Sequence, residues 1–363
     1  MTYPGPTIPP GAHLALSIVH PGSPTLRIRY RDGVLVTPQG YPDWALCARA
    51  MVDLPHPEPG LTLDEVRVVD VLAANVAMAR AAAGPDGDRL WLAGGGPAED
   101  AALATPPGWC WAHLGPHGRP GRQLALVPIE LHGSYRHAGG VRALPTTGRG
   151  LRLDAEPAPV GHGPAEPVPD DVLDVLERLF GWPLPPRYRR FLAETNGAGP
   201  AAPGVLPGYG FVADQPLFGV ARTDQHQDVS YAAEWVRDRL TLDFLPIGYV
   251  QGGLFAVKIS GGDVDSIWYW DDDDPRDRNA FGADYICAHL LHRCADDIDD
   301  LWASLARPAR PLLRIAAEWA AAGRVTQVCD EAVGAGLPAR MKAPWQPRTP
   351  SRPDSLTALF EAR

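Results

Sequence analysis

Apolar and polar positions repeat with two different periods in the first part of the chain. Over residues 13–37 they alternate singly on both sides of an Asp-Gly pair, which predicts a β-hairpin. Over residues 61–83 the apolar positions recur at helical spacing, and Thr62 and Glu65 have the spacing of a capping box at the helix start. The sequence therefore predicts strands and a long helix in this part.

The second part of the chain mixes the same two patterns. Helical spacing and strand-like runs follow one another along the chain, so we predict an α+β fold. The predicted helices cover residues 172–181, 187–197, 284–306 and 311–323, and the predicted strands cover residues 244–250, 253–260 and 265–271.

Proline content marks the best candidate for a boundary between domains. Residues 155–169 contain five prolines and no aromatic residue, which is typical of a semi-rigid linker. The sequence thus predicts two domains with additions at both ends. The predicted parts are a flexible arm (1–12), a first domain (13–150), a Pro-rich linker (151–169), a second domain (170–306) and a helical extension with a tail (307–363).

Charge is distributed unevenly over the two predicted domains. The formal net charge is −10, and residues 1–150 contain 12 arginines and 12 acidic residues, so the remainder of the chain carries the whole excess. Neither part has the basic excess of a strong nucleic-acid-binding protein. The acidic second part instead favours a basic protein partner.

Three features that the sequence lacks bear on the cellular compartment and on contact with membranes. No apolar run has the length of a membrane span, and the N-terminus has no signal-peptide pattern. The five cysteines are widely spaced without a CxxC motif, which argues against a zinc ribbon and a disulfide scaffold. We therefore expect a cytoplasmic protein with no membrane partner.

Three histidines lie close together in the tryptophan-rich segment 105–141. His113 follows a predicted tryptophan-rich strand, and His132 and His137 lie on a predicted helix with four residues between them. Phosphodiester cleavage by a metal nuclease needs one imidazole that activates water and further ligands that hold a divalent ion. Histidines in helix caps or the protein core are the alternative for His132 and His137.

The blocks around these histidines resemble the WHH subgroup of HNH (His-Me finger) nucleases, which are common as toxic tips of bacterial polymorphic toxins. The resemblance covers roughly residues 30–142. It implies a ββα-metal unit with His113 as general base, His132 and His137 as metal ligands, and one divalent ion (Mg, Mn, Ni or Zn) if the site is active. The matching blocks are YPDWALCARA (41–50), VVDVLAANVAMA (68–79), PGWCWAH (107–113), LALVP (124–128), His132 and HAGG (137–140).

Two positions depart from the pattern of that family. Ala112 stands where the family has the first histidine of its triplet, a metal ligand, and Ala125 replaces an amide. Glu130 is a candidate substitute ligand. The departures favour a degenerate nuclease domain, whereas the three histidines favour an active one.

The second predicted domain resembles the SUKH superfamily, whose members are mostly immunity proteins that neutralise toxins, many of them nucleases. The resemblance covers roughly residues 170–305 and implies an α+β binding module. The blocks that carry it are LPPRYRRFLAETNGAG (184–199), FLPIG (244–248), GGLFAVKIS (252–260) and WYWDDDD (268–274).

The last of these blocks supplies the predicted partner-binding residues. Aromatic anchors and a run of carboxylates suit a basic partner. A solvent-exposed loop and a calcium site are the alternatives for the carboxylates. The predicted partner-binding residues are Trp268, Trp270, Asp271, Asp272, Asp273 and Asp274.

Two functions follow from these resemblances. The favoured one is a binding protein of toxin–immunity type with a degenerate nuclease-like domain. Its partner is either a basic toxin nuclease or the chain's own first domain. The alternative is a metal-dependent DNase that its SUKH-like domain holds inactive in cis, for which DNA becomes a partner as well.

Overall fold

The computed structural model describes most of the chain between residues 16 and 328. The predicted arm (1–12) and the tail beyond residue 328 lie outside the described residues. The described ranges are 16–20, 23–31, 34–36, 41–42, 44, 48–57, 59–82, 103–115, 122–133, 136–137, 139–222, 227–277 and 281–328.

A small antiparallel sheet comes first in the chain. It consists of β1 (Leu16–His20), β2 (Ser23–Arg31) and β3 (Val34–Val36). Strands β2 and β3 pair on either side of the predicted Asp-Gly turn, which itself lies outside the described residues. The alternation of residues 13–37 therefore predicted the pairing of these two strands.

A second sheet carries the histidine segment. Its strands β4 (Ala50–Leu54), β5 (Trp109–His113) and β6 (Arg122–Pro128) are antiparallel, with β6 in the middle. The short helix α2 (Ile129–Gly133) follows β6 directly. The chain thus runs strand, strand, helix from His113 to His132, and His137 follows the helix.

The long helix α1 (Leu63–Ala82) lies between β4 and β5 in the chain. The capping box predicted at its start is present: the Glu65 amide donates to Thr62 Oγ1 and the Thr62 amide to Glu65 Oε2, both at 3.1 Å. Polar residues of α1 are buried as well, including Arg67 and Asp70 at 3% and 0% exposure. Such residues need partners from other elements.

The middle of the chain forms a separate α+β unit. Its sheet is antiparallel in the order β10-β9-β8-β7, and helices flank it in sequence. The elements are α3 (Asp170–Phe180), α4 (Pro186–Thr195), α5 (Val229–Trp235), β7 (Phe244–Val250), β8 (Gly253–Lys258), β9 (Ile267–Asp271), α6 (Ala283–His289), β10 (Leu291–Ala295) and α7 (Ile298–Ser304).

The predicted helix 284–306 is wrong in its middle. Strand β10 interrupts it and pairs with β9, with Leu291 opposite Trp270. Helix α7 then starts anew because the Asp297 side chain caps it, accepting from the Asp300 amide at 2.9 Å. Pairing with a neighbouring strand overrode the helical period, which a local pattern cannot show.

The chain returns to the second sheet after α7. Helix α8 (Arg310–Ala322) packs against α1, and β11 (Arg324–Val328) pairs with β4, with Val325 opposite Val52. We call residues 41–150 together with 307–328 the N-terminal unit, and residues 151–306 the central unit. The described part of the N-terminal unit is therefore built from two stretches of chain.

The predicted linker lies where the chain enters and leaves the central unit. Its residue Val160 donates a backbone hydrogen bond to Leu305 at 3.1 Å, and Arg307 donates one to Ala158 at 2.8 Å. The entry and exit segments therefore lie side by side. Both ends of the central unit are tied to the same place on the N-terminal unit.

Two buried apolar clusters fill the molecule. Alternation along the second sheet sends one set of side chains, such as Val52 and Leu124, toward α1 and α8. The other set, such as Met51 and Val127, joins the core of the central unit. Among the described residues, no helix is both long and apolar enough to cross a membrane.

Candidate functional site

A cavity of about 50 Å³ lies between the N-terminal unit and the central unit. All three predicted histidines, His113, His132 and His137, line it, so the structure brings them together as the sequence predicted. The central unit contributes lining residues from β7, β9 and the loops that follow, among them Tyr249 and Asp272. The histidines therefore face the second predicted domain at close range.

The predicted helix for His132 and His137 is only half present. His132 lies on α2, which ends at Gly133, and His137 lies in a non-helical segment after it. Their imidazole rings are nevertheless in contact, with centroids 4.6 Å apart in an edge-to-face arrangement. Trp44 packs on both rings, with centroids 5.3 and 5.2 Å away.

The environment of His132 keeps its ring neutral. Burial lowers the pKa of His132 well below its usual value, and the charges of His137 and Arg239 lower it further. A neutral imidazole can ligate a metal or pack in a core, so this property fits both predictions for His132. The three-ring cluster with Trp44 has the geometry of ordinary aromatic packing.

His113 is held by a buried carboxylate that the sequence analysis did not single out. Its Nε2 lies 2.8 Å from Asp70 Oδ2, and Asp70 is fully buried on α1. If Nε2 carries the proton that Asp70 accepts, Nδ1 is the basic nitrogen of the neutral ring. An orienting carboxylate of this kind suits a general base.

A chain of contacts links this pair to the C-terminal helix. Arg122 Nη2 lies 2.9 Å from Asp70 Oδ1, and the Arg122 guanidinium lies over the Trp319 ring at 4.1 Å from its centroid. Burial lowers the pKa of Arg122, and the charge of Asp70 opposes that effect. Trp319 on α8 therefore helps to hold Arg122, which in turn lies against Asp70, the residue that orients His113.

The two family departures are neighbours in the sheet. Ala112 on β5 lies directly opposite Ala125 on β6, and both are buried on the face that joins the central unit. Ala112 also lines the histidine cavity. A histidine and an amide at this pair of positions would project toward the central unit.

The described residues do not assemble a metal site around the histidines. They contain no group of three or more His, Cys, Asp or Glu side chains placed to hold an ion. Ala112, which the resemblance places at a ligand position, has no ligating side-chain atom, and the side chain of Glu130 lies outside the described residues. Two imidazoles alone are a weak donor set, so the described donor set does not fit the implied divalent metal.

Beside the cavity lies the acidic segment, which we define as residues 271–277. Its Asp271, Asp273 and Asp274 are 2%, 6% and 4% exposed. The alternative of a solvent-exposed loop is therefore wrong for the run 271–274, because three of its four aspartates are buried between the two units and Asp272 is partly buried. Burial of so many carboxylates requires cationic partners.

Arg67 of α1 is the central partner of the acidic segment. Its Nη1 donates to Asp271 Oδ1 and its Nη2 to Asp272 Oδ1, both at 2.8 Å. The same Nη2 donates to the Gly252 carbonyl at 2.7 Å. The side chain of Arg67 is only 4% exposed, so the N-terminal unit places a buried cation against the acidic run.

Arg142 binds the main chain of the same segment. Its guanidinium donates to the carbonyls of Asp272, Asp273, Asp274 and Asp277, the shortest contact being 2.7 Å to Asp274. One guanidinium thus fixes the path of the backbone, whichever side chains the segment presents.

Two further arginines bind the two ends of the acidic segment. Arg149 pairs with Asp271 Oδ2, and Arg136 Nη1 donates to Asp277 Oδ1 at 3.2 Å. Both arginines belong to the N-terminal unit. Within this chain, arginines of the N-terminal unit therefore contact both ends of the acidic segment.

The surroundings of the acidic segment shift the pKa values of the neighbouring carboxyls Asp271 and Asp272 in opposite directions. Burial opposes the ionisation of Asp271, but the Arg67 and Arg149 guanidiniums outweigh it and lower the pKa of Asp271. Burial, together with the charge of Asp273, raises the pKa of Asp272 to about 7. The arginines stabilise Asp271 as an anion more effectively than Asp272.

The central unit also covers the free edge of β5. Gln251 Oε1 accepts from the Trp111 amide at 3.0 Å, and Gln251 Nε2 donates to the Trp109 carbonyl at 3.5 Å. Gln215 Oε1 accepts from the Gly108 amide at 3.0 Å. These side chains take the place of a neighbouring strand along an edge that would otherwise be open.

The predicted aromatic anchors lie in different surroundings. Trp270 is 4% exposed and lines the cavity, with the Arg239 guanidinium over its ring at 5.1 Å from the centroid. Trp268 is half-buried against Phe244. Of the two, only Trp270 is placed beside the N-terminal unit.

Family models match both halves of this arrangement. Residues 101–144 match a family described as a nuclease of the HNH/ENDO VII superfamily with conserved WHH. Residues 167–301 match the SMI1/KNR4 family (SUKH-1). A WHH nuclease domain is followed by a SUKH domain. No curated protein matches the chain.

The SUKH resemblance is thereby confirmed, and the WHH resemblance is confirmed over residues 101–144, whereas the blocks 41–50 and 68–79 lie outside that match. The pair of domains supports a toxin–immunity-like fusion. The WHH match lies within the N-terminal unit and the SUKH match within the central unit, and below we use the names WHH domain and SUKH domain as labels for these two units. The WHH family is typically dependent on a divalent metal. The roles assigned to the individual site residues stay predictions.

Several site residues could not be singled out from the sequence. Asp70, Arg67 and Gln251 reach partners that lie 43, 204 and 140 residues away in the chain. A signal for the first two exists, because they interrupt the apolar pattern of a helix that is buried on most sides. Gln251 has no comparable signal.

Proposed function

We propose that this chain is a cytoplasmic binding protein of toxin–immunity type, in which the SUKH domain covers in cis the histidine cavity of a degenerate WHH domain. The observation that carries the proposal is the acidic segment, residues 271–277. It is buried on four arginines of the WHH domain, beside the three histidines. These arginines are Arg67, Arg136, Arg142 and Arg149.

The set of side chains that could ligate a metal supports the proposal that the WHH domain is a degenerate nuclease. Ala112 supplies no ligand, and the described residues gather no trio of ligands around His132 and His137. A basic toxin nuclease that used the acidic segment would first have to displace the chain's own arginines. The first partner of the SUKH domain in this proposal is therefore the WHH domain itself.

Substitution of Gly139 tests whether the SUKH domain covers the histidine cavity. Gly139 has an ordinary extended backbone, with φ −73° and ψ 136°, but a Cβ there would overlap the Asp273 carboxylate. Gly282 is the matched control, because its φ is −79° and a Cβ there meets no atom within 4 Å. Gly139→Ala should therefore loosen the acidic segment, whereas Gly282→Ala should not.

The readout is limited trypsin cleavage after Arg276, followed by mass spectrometry. We expect the cleavage rate to rise about tenfold in Gly139→Ala and to stay at the wild-type value in Gly282→Ala. Equal cleavage of all three chains at a fast rate would mean that the segment is not held on the WHH domain, and the proposal would fail.

A restrained DNase is the second candidate, and the His113–Asp70 pair favours it. A general base requires an oriented imidazole. His113 keeps this arrangement although Ala112 stands at a ligand position of the family. In this candidate the SUKH domain covers a site that still cuts DNA after opening.

Plasmid cleavage separates the two candidates. The intact chain, Gly139→Ala and Gly139→Ala/His113→Ala are incubated with plasmid and Mg²⁺, Mn²⁺, Ni²⁺ or Zn²⁺ in turn. The degenerate state predicts no cleavage by any chain. Cleavage by Gly139→Ala that disappears with His113→Ala would establish the restrained DNase instead.

A further inference from the structure

Three aromatic rings form an exposed row on the SUKH domain, which begins just before α6 and continues along it. They are four residues apart in the chain and belong to Phe281, Tyr285 and His289. The rings of Phe281 and Tyr285 are stacked with centroids 4.0 Å apart, and those of Tyr285 and His289 are 4.5 Å apart. Tyr285 is 42% exposed, and His289 is exposed as well. We call these three residues the aromatic row.

Acidic side chains border the aromatic row. Asp284 is exposed on α6, and Asp243 is exposed directly before β7. Burial raises the pKa of Cys287 on α6, and the charges of Asp243 and Asp284 raise it further, so both carboxylates lie close to this helix. Arg276, which also lies near the row, is paired with Asp274 at 2.6 Å. The surroundings of the row therefore favour a cationic segment.

Prolines recur at every third position in part of the C-terminal tail, which lies outside the described residues. A polyproline II helix has three residues per turn and rises about 3.1 Å per residue, so this spacing predicts prolines along one edge, about 9 Å apart. Residues 338–353 also contain four cationic residues and no acidic residue. The prolines are Pro344, Pro347, Pro350 and Pro353, and we call residues 344–353 the proline run.

We propose that the aromatic row is a docking surface and that its occupant is the proline run of the same chain. Proline-rich segments of this period dock on aromatic side chains, because the extended chain loses little conformational entropy on binding. The ring separations of 4.0 and 4.5 Å together extend over about the distance between successive prolines on one edge. Arg348 and Arg352 supply the positive charge that the bordering carboxylates favour. This inference does not depend on the proposed function.

The chain between β11 and the proline run is long enough for docking in cis. Strand β11 ends at Val328, and fifteen residues separate it from Pro344. An extended chain of this length spans up to about 50 Å, which is about the diameter of a compact body of about 300 residues. Such a tether gives an effective concentration of about 1 mM. Docking with an intrinsic dissociation constant of about 0.1 mM therefore occupies the row about ten times more often than it leaves the row free.

The aromatic row adjoins the contact between the two units. The Phe281 carbonyl accepts a hydrogen bond from Arg136 of the N-terminal unit. A docked proline run therefore extends an existing interface rather than covering an isolated face. Phe180 and Trp182 form another stacked pair, with centroids 4.8 Å apart, beside the exposed Leu179. That second face is the natural comparison for the row.

Trypsin cleavage after Arg348 measures the docking in the full chain. Mass spectrometry follows the release of residues 349–363 from the chain and from a synthetic peptide of residues 340–363. The ratio of the peptide rate to the chain rate is the protection factor. Tyr285→Ala removes the middle ring of the row. Leu179→Ala is the matched control, because Leu179 and Tyr285 are 43% and 42% exposed.

A second pair of variants changes the proline run and leaves the SUKH domain intact. Pro347→Ala/Pro350→Ala breaks the period of three, whereas Ser351→Ala keeps it. Each of these chains is compared with a synthetic peptide of its own sequence, so a change in the intrinsic susceptibility to trypsin cancels. This pair keeps the test decisive if near-ultraviolet circular dichroism shows that Tyr285→Ala does not fold.

We expect a protection factor of about ten in wild type, Leu179→Ala and Ser351→Ala, at every protein concentration. The factor should fall to within about twofold of one in Tyr285→Ala and in Pro347→Ala/Pro350→Ala. A wild-type factor near one, or a factor that Tyr285→Ala leaves unchanged, would overturn the inference. Protection that appears only as the protein concentration rises would place the run on a second copy and would overturn docking in cis.

Discussion

At the scale of single residues, the site depends on buried charges that satisfy one another. Asp70 accepts from His113 and neutralises Arg122, and Arg67 neutralises two aspartates of the acidic segment. Removing one partner of a buried pair leaves an uncompensated charge, which costs far more than the pair itself contributes. Single substitutions in these networks should therefore have large effects.

Substitution of Asp70 tests the network around His113. Asp70→Asn leaves Arg122 buried without its carboxylate, so we expect a loss of about 3 kcal/mol in the free energy of unfolding. Asp174→Asn is the control, because its salt bridge with Arg189 is exposed and should contribute less than about 1 kcal/mol. Urea unfolding of the two variants measures both values, and equal losses would contradict the network.

The raised pKa of Asp272 predicts a dependence of stability on pH. Its pKa in the folded chain is about 7, above the ordinary value, so the folded state holds a proton that the unfolded state releases. That stabilisation is present at low pH and is lost as the pH rises through about 7. Between about pH 6.5 and about pH 8, the free energy of unfolding should fall by about 1 kcal/mol.

Asp272→Asn is the variant that checks this dependence, because an amide cannot titrate. Urea unfolding across the same pH range should give a flatter profile for the variant than for wild type. Asp214, whose pKa burial raises to about 6, contributes in the same direction but mostly below this range. A difference in the free energy of unfolding between wild type and Asp272→Asn that does not change with pH would contradict the assignment, because His132, whose lowered pKa acts in the opposite direction, is present in both chains.

At the scale of elements, the WHH domain needs the end of the described chain. Helix α8 covers α1, and Trp319 on α8 lies over Arg122, so the support of His113 extends into the C-terminal part. A fragment that ends at residue 150 lacks this helix and strand β11. Activity measured on such a fragment would therefore not report on the assembled WHH domain.

Two neighbouring alanines of α8 test this packing. Ala316 is fully buried against α1, whereas Ala317 is exposed on the same helix. Ala316→Glu should destabilise the N-terminal unit by more than about 3 kcal/mol because it buries a carboxylate without a partner. Ala317→Glu should change stability by less than about 0.5 kcal/mol, and similar thermal unfolding of the two variants would contradict the packing.

The helices and strands also show which structural features local sequence patterns can predict. The Thr62–Glu65 capping box and the strand before His113 follow from local patterns, and the structure has both. The strand β10 could not be predicted because its pairing with β9 decides it. The SUKH domain is held over the histidines by contacts such as that of Arg67 with Asp271. These contacts join residues far apart in the chain, so a local sequence pattern could not predict them.

At the scale of the whole molecule, the central unit lies in the chain between the two stretches that build the N-terminal unit, so it is joined to that unit at both ends. The entry and exit segments pair with each other around Val160 and Leu305. A domain held in this way returns to its site rapidly after opening, because its effective concentration near that site stays high. Opening must therefore be driven by a ligand or a partner rather than by dilution.

The amide of Trp111 gives the most direct measurement of closure in cis. It lies on the edge strand β5, and its hydrogen bond goes to the side chain of Gln251 in the SUKH domain at 3.0 Å. Its exchange with deuterium in the intact chain, resolved by NMR, therefore reports whether the SUKH domain is seated. Gln251→Ala and Gly139→Ala provide the opened states, and Gly282→Ala is the control.

We predict slow exchange of the Trp111 amide in wild type and in Gly282→Ala, with faster exchange in Gln251→Ala and Gly139→Ala. The amide of Leu126, which lies in the middle strand β6, should stay slow in all four chains. Exchange of the Trp111 amide at the rate of an open strand edge in the wild-type chain would contradict the closed arrangement.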